Sequence, residues 1–147
     1  MTILAVASGG GHWIELLRLR PAFGDQTVHY VTVQDKYRDD VAGSPFHVVR
    51  DATRWQRWAL LIQALQIALI VLWVRPDIVI STGAAPGYFA LRFGKLLRAR
   101  TIWLDSLANV ETLSQAGAMA GPYADLWLTQ WPELARDAGP GYEGKVI

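Results

Sequence analysis

Hydrophobic positions in this chain fall into runs of two kinds. The short runs TILAVA, TVHYVTV, FHVV, DIVIS, RTIWL and ADLWLT are mostly apolar at successive positions and rich in β-branched residues, which marks strands buried on both faces. Between them lie segments with helical character at about Gly11 to Arg20, Thr53 to Val74, Pro86 to Leu97 and, more briefly, Pro132 to Asp137. A short polar segment follows TVHYVTV, and an irregular stretch separates RTIWL from ADLWLT. Two-faced strands alternating with helices predict a doubly wound α/β fold on a mainly parallel sheet.

The segment Trp58 to Val74, WALLIQALQIALIVLWV, breaks the ordinary soluble pattern. It is uncharged and just under the roughly 20 residues that span a bilayer. Only Gln63 and Gln66 interrupt its apolar surface, with Arg54 and Arg57 before it and Arg75 after it. A helix apolar on every side is either deeply buried or in contact with lipid. Trp55, Trp58 and Trp73 stand near its ends as interfacial anchors do. The lipid reading places Leu61, Leu65 and Leu69 with these tryptophans in a membrane surface, in plane or partly inserted. The other reading is a core helix.

Composition narrows the classes. With 147 residues, 52% of them hydrophobic, one globular domain over 1–147 is expected. A net charge of +1 gives no global attraction to nucleic acid. The absence of cysteine excludes disulfides and thiolate chemistry. No clustered histidines and carboxylates suggest a metal site, and no resident cofactor is expected. MTILAVASGGGH lacks a basic leader and reads as a buried strand, not as a signal peptide.

In doubly wound sheets ligands sit beyond the carboxyl ends of the strands. The first strand leads there into Ser8-Gly9-Gly10-Gly11-His12. Bare backbone at a helix start favours an anion, phosphate or diphosphate above all, although glycine also serves a plain tight turn. Gly9 and Gly11 begin a dinucleotide fingerprint that Ile14 breaks, and the lysine of a P-loop is missing. His12 is a candidate general base, a hydrogen-bond donor to the ligand, or a cap on the turn. The fourth strand ends in a second small-residue loop, Ser81-Thr82-Gly83-Ala84-Ala85-Pro86-Gly87, which opens another helix. Arg92, Lys95 and Arg98 follow along one side of that helix, as a solvated face or a contact for anionic headgroups. His29 and His47 read as structural.

Four ordered segments, SGGGHWIELLRL, RPDIVISTGAAPGYFAL, IWLDSLANVETLSQAG and YADLWLTQWPELA, resemble the polysaccharide-biosynthesis proteins related to the acceptor-binding subunit of the two-subunit N-acetylglucosaminyltransferase of lipid-linked oligosaccharide assembly. Bacterial relatives include the acceptor subunit of an exopolysaccharide glucuronosyltransferase. The resemblance implies a Rossmann-like N-terminal half of an inverting GT-B glycosyltransferase. It also implies that a separate GT-B C-terminal-type subunit binds the UDP-sugar donor, and that the chain works at the cytoplasmic side of the bacterial inner membrane. Ser8 through Gly11 and Ser81, Thr82, Gly83, Ala84, Ala85 and Gly87 are then expected to face the diphosphate of a lipid-linked acceptor, with His12 at the transfer site. Gln130, Trp131 and Glu133 of QWPEL, with Val146 and Ile147, are expected at the partner interface. Asp105 stands where relatives more often have glutamate before serine, and neither it nor Glu111 receives a role. The rival expectation is a non-catalytic scaffold that recruits a transferase to the membrane. A stand-alone nucleotide-binding domain is disfavoured by the broken fingerprint.

Overall fold

A computed structural model describes all of residues 1–147. Seven parallel strands form one sheet in the order β3-β2-β1-β4-β5-β6-β7, with β1 at Thr2–Ala7, β2 at Thr27–Thr32, β3 at Phe46–Val48, β4 at Ile78–Gly83, β5 at Arg100–Leu104, β6 at Leu126–Thr129 and β7 at Gly141–Tyr142. The doubly wound α/β expectation holds. Helices α1 (Gly11–Arg18), α2 (Arg20–Phe23), α3 (Arg57–Val74), α4 (Ala84–Leu96) and α5 (Gln115–Ala120) connect the strands.

Strand β1 shows why the runs lack alternation. Its Leu4 and Val6 enter one core with Ile67 and Val71 of α3 and Leu91 of α4. Its Ile3, Ala5 and Ala7 enter a second core with Trp13 and Leu16 of α1. Both faces of the strand are covered, so both sets of positions are apolar. Strand order reverses between β1 and β4, and their pairing shifts register between Val6 and Ala7, so that Ala7 lies opposite Gly83. The loops after these two strands therefore open side by side at the switch point, where doubly wound sheets bind ligands.

Several boundaries differ from expectation. The first helix breaks after Arg18, and Pro21 sits in the first turn of a separate short helix. The long helix starts at Arg57, because 53–56 form a turn in which the Gln56 side chain accepts from the Thr53 N–H. It stops at Arg75, in the left-handed region with φ 48°, one residue before Pro76. The segment after Trp131 makes only a 3-10 turn over Pro132–Leu134. The irregular stretch contains α5, whose first turn is capped by Ser114 accepting from Gly117 N–H at 2.9 Å.

Helix α3 packs one side only. Ala59, Gln63, Ile67 and Val71, spaced four residues apart, face the domain, while Trp58, Leu61, Leu65, Leu69, Leu72 and Trp73 are exposed. The two glutamines that interrupt the apolar sequence clamp the backbone of one residue on both sides. Gln63 Nε2 donates to the Arg50 carbonyl at 2.8 Å, and Gln66 Oε1 accepts from the Arg50 N–H at 2.7 Å. This holds the strap that runs from β3 to α3.

Candidate functional site

The glycine loop is shaped by left-handed backbone at Gly10, with φ 67°, a conformation glycine adopts without the usual steric cost. Gly10 and Gly11 are exposed, with Ser8, Gly9 and His12 half-buried beside them. The Gly10 N–H donates to the Tyr37 hydroxyl at 2.9 Å. Tyr37 lies on a 3-10 segment, Asp35–Val41, and stacks on the Trp13 ring with centroids 5.2 Å apart. The polar segment after β2 thus forms a wall of the loop. Sequence reasoning missed Tyr37, although β2 ends at the same sheet edge as β1.

His12 joins the two loops. Its Nδ1 is 3.1 Å from the Thr82 carbonyl, and the Thr82 hydroxyl donates to the His12 carbonyl at 2.6 Å. A carbonyl only accepts, so this bond puts a proton on Nδ1 and leaves the Nε2 lone pair free in the neutral ring. Gly83 has φ 153°, and a Cβ there would collide with the His12 ring. Ala84, the next residue, is also left-handed at φ 67°. Thr82 and Gly83 thus form the seat of His12, and the sparsely populated backbone runs on from Gly83 into Ala84.

The second loop divides into lining and support. The side chains of Ser81 and Thr82 are fully buried. Ser81 Oγ accepts from the Gly83 N–H at 3.1 Å. Gly87 is buried with its Cα against Ser81, leaving no room for a Cβ. These three were expected to face a ligand, and they brace the loop from within because their polar atoms and space are already used. Ala84 and Ala85 remain half-buried at the opening.

Behind the loops lies a buried polar network that the sequence did not reveal. Glu15, one turn beyond His12, accepts through Oε1 from the Leu107 N–H at 2.7 Å and from Gln130 Nε2 at 2.8 Å. Gln130 Nε2 also donates to the Asp105 carbonyl at 3.0 Å, and its Oε1 accepts from the Val146 N–H at 2.8 Å. Gln130 is wholly buried, which corrects its expected place at a partner interface. It ties α1, the loop after β5 and the C-terminal tail together. Asp105 accepts from Trp103 Nε1, the Ser114 hydroxyl and amide, and Asn109 Nδ2 at 2.6–3.2 Å. Its carboxylate organises the 105–114 loop, whereas Glu111 is exposed.

Of the other interface candidates, Glu133 and Ile147 are exposed, while Trp131 and Val146 are half-buried. Trp131 Nε1 donates to the Leu107 carbonyl at 2.8 Å, and Lys145 lies 3.9 Å from its ring centre. Val146 accepts from Arg18 at 3.2 Å through its carbonyl. All the membrane candidates, Trp55, Trp58, Leu61, Leu65, Leu69 and Trp73, are exposed, Trp58 to 80% and Trp73 to 72%. Large apolar side chains massed in the open in this way mark an interaction surface. No cluster of metal-ligating side chains exists.

No protein-family model matches the chain. Its sequence is 26% identical over 167 residues to the UDP-N-acetylglucosamine transferase subunit ALG14 of Eremothecium gossypii, covering 91% of this chain and 74% of that protein. The subunit of the same name from Mus musculus is 24% identical over 186 residues, covering 100% of this chain and 83% of the other. The fold superposes on MurG of Acinetobacter baumannii with a TM-score of 0.79 over 96% of this chain, at 11% identity. The chain spans under half of MurG, 45% of its length. The chain is thus similar in sequence to the ALG14 transferase subunits over most of its length, and it shares the fold of part of MurG.

Proposed function

We propose that this chain is the acceptor-binding, membrane-associating subunit of a split UDP-sugar-dependent glycosyltransferase that acts on a lipid-diphosphate-linked sugar. The observation that carries this is the junction of two small-residue loops at the switch point, with His12 held by the Thr82 carbonyl through Nδ1. The exposed apolar face of α3 supports a membrane surface as the place of work. The similarity to proteins named as transferase subunits supports a partner that brings the donor.

In this mechanism the remaining amides at the start of α1, Gly11 and His12, hold the acceptor's diphosphate, since those of Gly10 and Gly83 already donate within the protein. His12 Nε2 takes the proton from the acceptor hydroxyl as its oxygen attacks the anomeric carbon of the donor sugar, and the bond from that carbon to UDP breaks. The configuration inverts because attack and departure occur on opposite faces. The partner subunit stabilises the departing diphosphate. His12→Ala should lower turnover by about 10²–10⁴-fold, the usual contribution of a general base, in a complex that still assembles.

The test is sugar transfer to a lipid-diphosphate-linked acceptor by this chain alone, by a donor-binding partner alone, and by both together. Only the mixture should be active. Full activity from either alone overturns the split-enzyme reading. Full activity of the mixture with His12→Ala and disrupted loops would leave this chain as a recruiting scaffold.

A further inference from the structure

Between α3, α4 and α5 lies an apolar cavity of 420 Å³ that the mechanism above does not use. Leu60, Ala85, Tyr88, Phe89, Ala116 and Met119 line it. We infer that this cavity holds the first carbons of the hydrocarbon tail of the lipid-diphosphate acceptor, an inference that rests on the function proposed above.

Three features select this occupant. The cavity shares Ala85 with the second loop of the switch point, two residues after Gly83, so it opens beside the proposed diphosphate seat. It also shares α3 with the exposed face, because Leu60 is on its wall while Trp58 and Leu61 point outward. One wall carries a cation: Arg54 donates to Gln115 Oε1 at 2.8 Å and lies over the Trp55 ring at 4.6 Å. An apolar chamber between an anion seat and a lipid-facing helix, with a guanidinium on its wall, suits an anionic head joined to a hydrocarbon tail. At ~30 Å³ per water-sized atom, the volume admits roughly a dozen carbons, the first stretch of a lipid tail. A larger hollow of 570 Å³ is walled by Lys95, Arg98, Arg100 and Asp125, with Ala99 its one apolar residue, and offers a tail nothing.

The test uses farnesyl diphosphate and inorganic diphosphate as probes, titrated calorimetrically into the full chain. Ala116→Trp fills the cavity, and Met119→Glu puts a charge at a position that is already half exposed, which protects the fold. Each should weaken farnesyl diphosphate at least tenfold and leave inorganic diphosphate unchanged. Unchanged farnesyl diphosphate binding in both variants overturns the inference, as does loss with Leu65→Glu instead, which would put the tail on the open face of α3. If Ala116→Trp prevents assembly with the donor-binding partner but keeps farnesyl diphosphate binding, the cavity seats a partner segment and the inference also fails. Failure of the proposed function is separate: tail-dependent binding then persists in a chain whose complex transfers no sugar.

Discussion

Replacing Leu65 and Leu69 together by serine should release the chain from membranes without unfolding it. The two side chains are 58% and 67% exposed. Burying a whole leucine is worth ~1.5–3 kcal/mol, so each has roughly 1–2 kcal/mol left to gain by entering a bilayer. Losing both removes about 2–4 kcal/mol, a fall of about 30-fold to several hundred-fold in the partition coefficient. The fold should keep its stability to within about 0.5 kcal/mol, since surface positions away from special features tolerate substitution. Ile67→Ser provides the contrast. It lies between the two in sequence but is wholly buried, so it should cost the fold several kcal/mol from an unfilled, newly polar core site. The assay is co-sedimentation with neutral and anionic vesicles across a salt series, alongside thermal unfolding. The part of binding due to Arg54 and Arg57 should weaken with salt, and the leucine part should not. Unchanged vesicle binding of the double variant would refute the assignment of this face to lipid. So would a loss of thermal stability comparable to that of Ile67→Ser.

Other expectations follow from the site and its supports. Gly83→Ala places a methyl group on the His12 ring in a strained backbone conformation, so turnover of the reconstituted enzyme should fall about as far as with His12→Ala; near-native turnover would show that the seat of His12 is unimportant. Gln130→Leu strips a partner from the buried Glu15 carboxylate and from the Val146 amide. It should cost about 2–4 kcal/mol in urea unfolding, and a purely partner-binding defect at full stability would contradict the internal role. His29 and His47 stack with Nδ1 and Nε2 3.2 Å apart, and both titrate below the usual 6.5, by burial first and, for His47, by the nearby His29 and Arg38. A folded-state pKa below the unfolded one leaves stability full above about pH 6.5 and lowers it as pH falls toward the folded values. His29→Gln with His47→Gln should flatten that slope in denaturant titrations, and an unchanged slope would place its origin elsewhere. Asp125 is held below the usual carboxylate range by its hydrogen bond from Lys95 and then by the Thr101 amide. Its contribution should be present above about pH 4 and lost in stronger acid, and Asp125→Asn should remove that acid limb.

How much was legible depends on what a residue's neighbours in sequence reveal. The strands were legible because two-sided burial gives continuous apolar runs, and the parallel sheet follows from their alternation with helices. The glycine loops were legible for the same local reason. The division of labour inside them was not. That the Ser81 hydroxyl turns back to the Gly83 amide depends on a side-chain rotamer that a sequence does not state, and nothing near Gln130 tells that its carboxamide reaches Glu15, 115 positions away. Short polar segments were undervalued for a similar reason: Tyr37 meets Gly10 across 27 positions.

Helix α3 shows the limit most clearly, since an all-apolar sequence carries no periodicity to say which side is covered. The glutamines resolve it once the fold is known. Gln63 and Gln66 grip the Arg50 backbone, so the helix side nearest the strap is fixed by hydrogen bonds, and the turn-spaced Leu61, Leu65, Leu69 and Leu72 are left outside. A core helix has no need of such an outer row, and a soluble surface helix would have polar residues there. Apolar packing inside, polar clamps at the strap and bare leucine outside make sense together if a second apolar phase completes the burial. The same helix lends Leu60 to the cavity beside the proposed diphosphate seat. On the proposed reading one helix would both meet a lipid surface and wall the chamber for a lipid tail, so membrane docking and acceptor positioning should be lost together when α3 is displaced and separately when only its outer leucines or only Ala116 are changed.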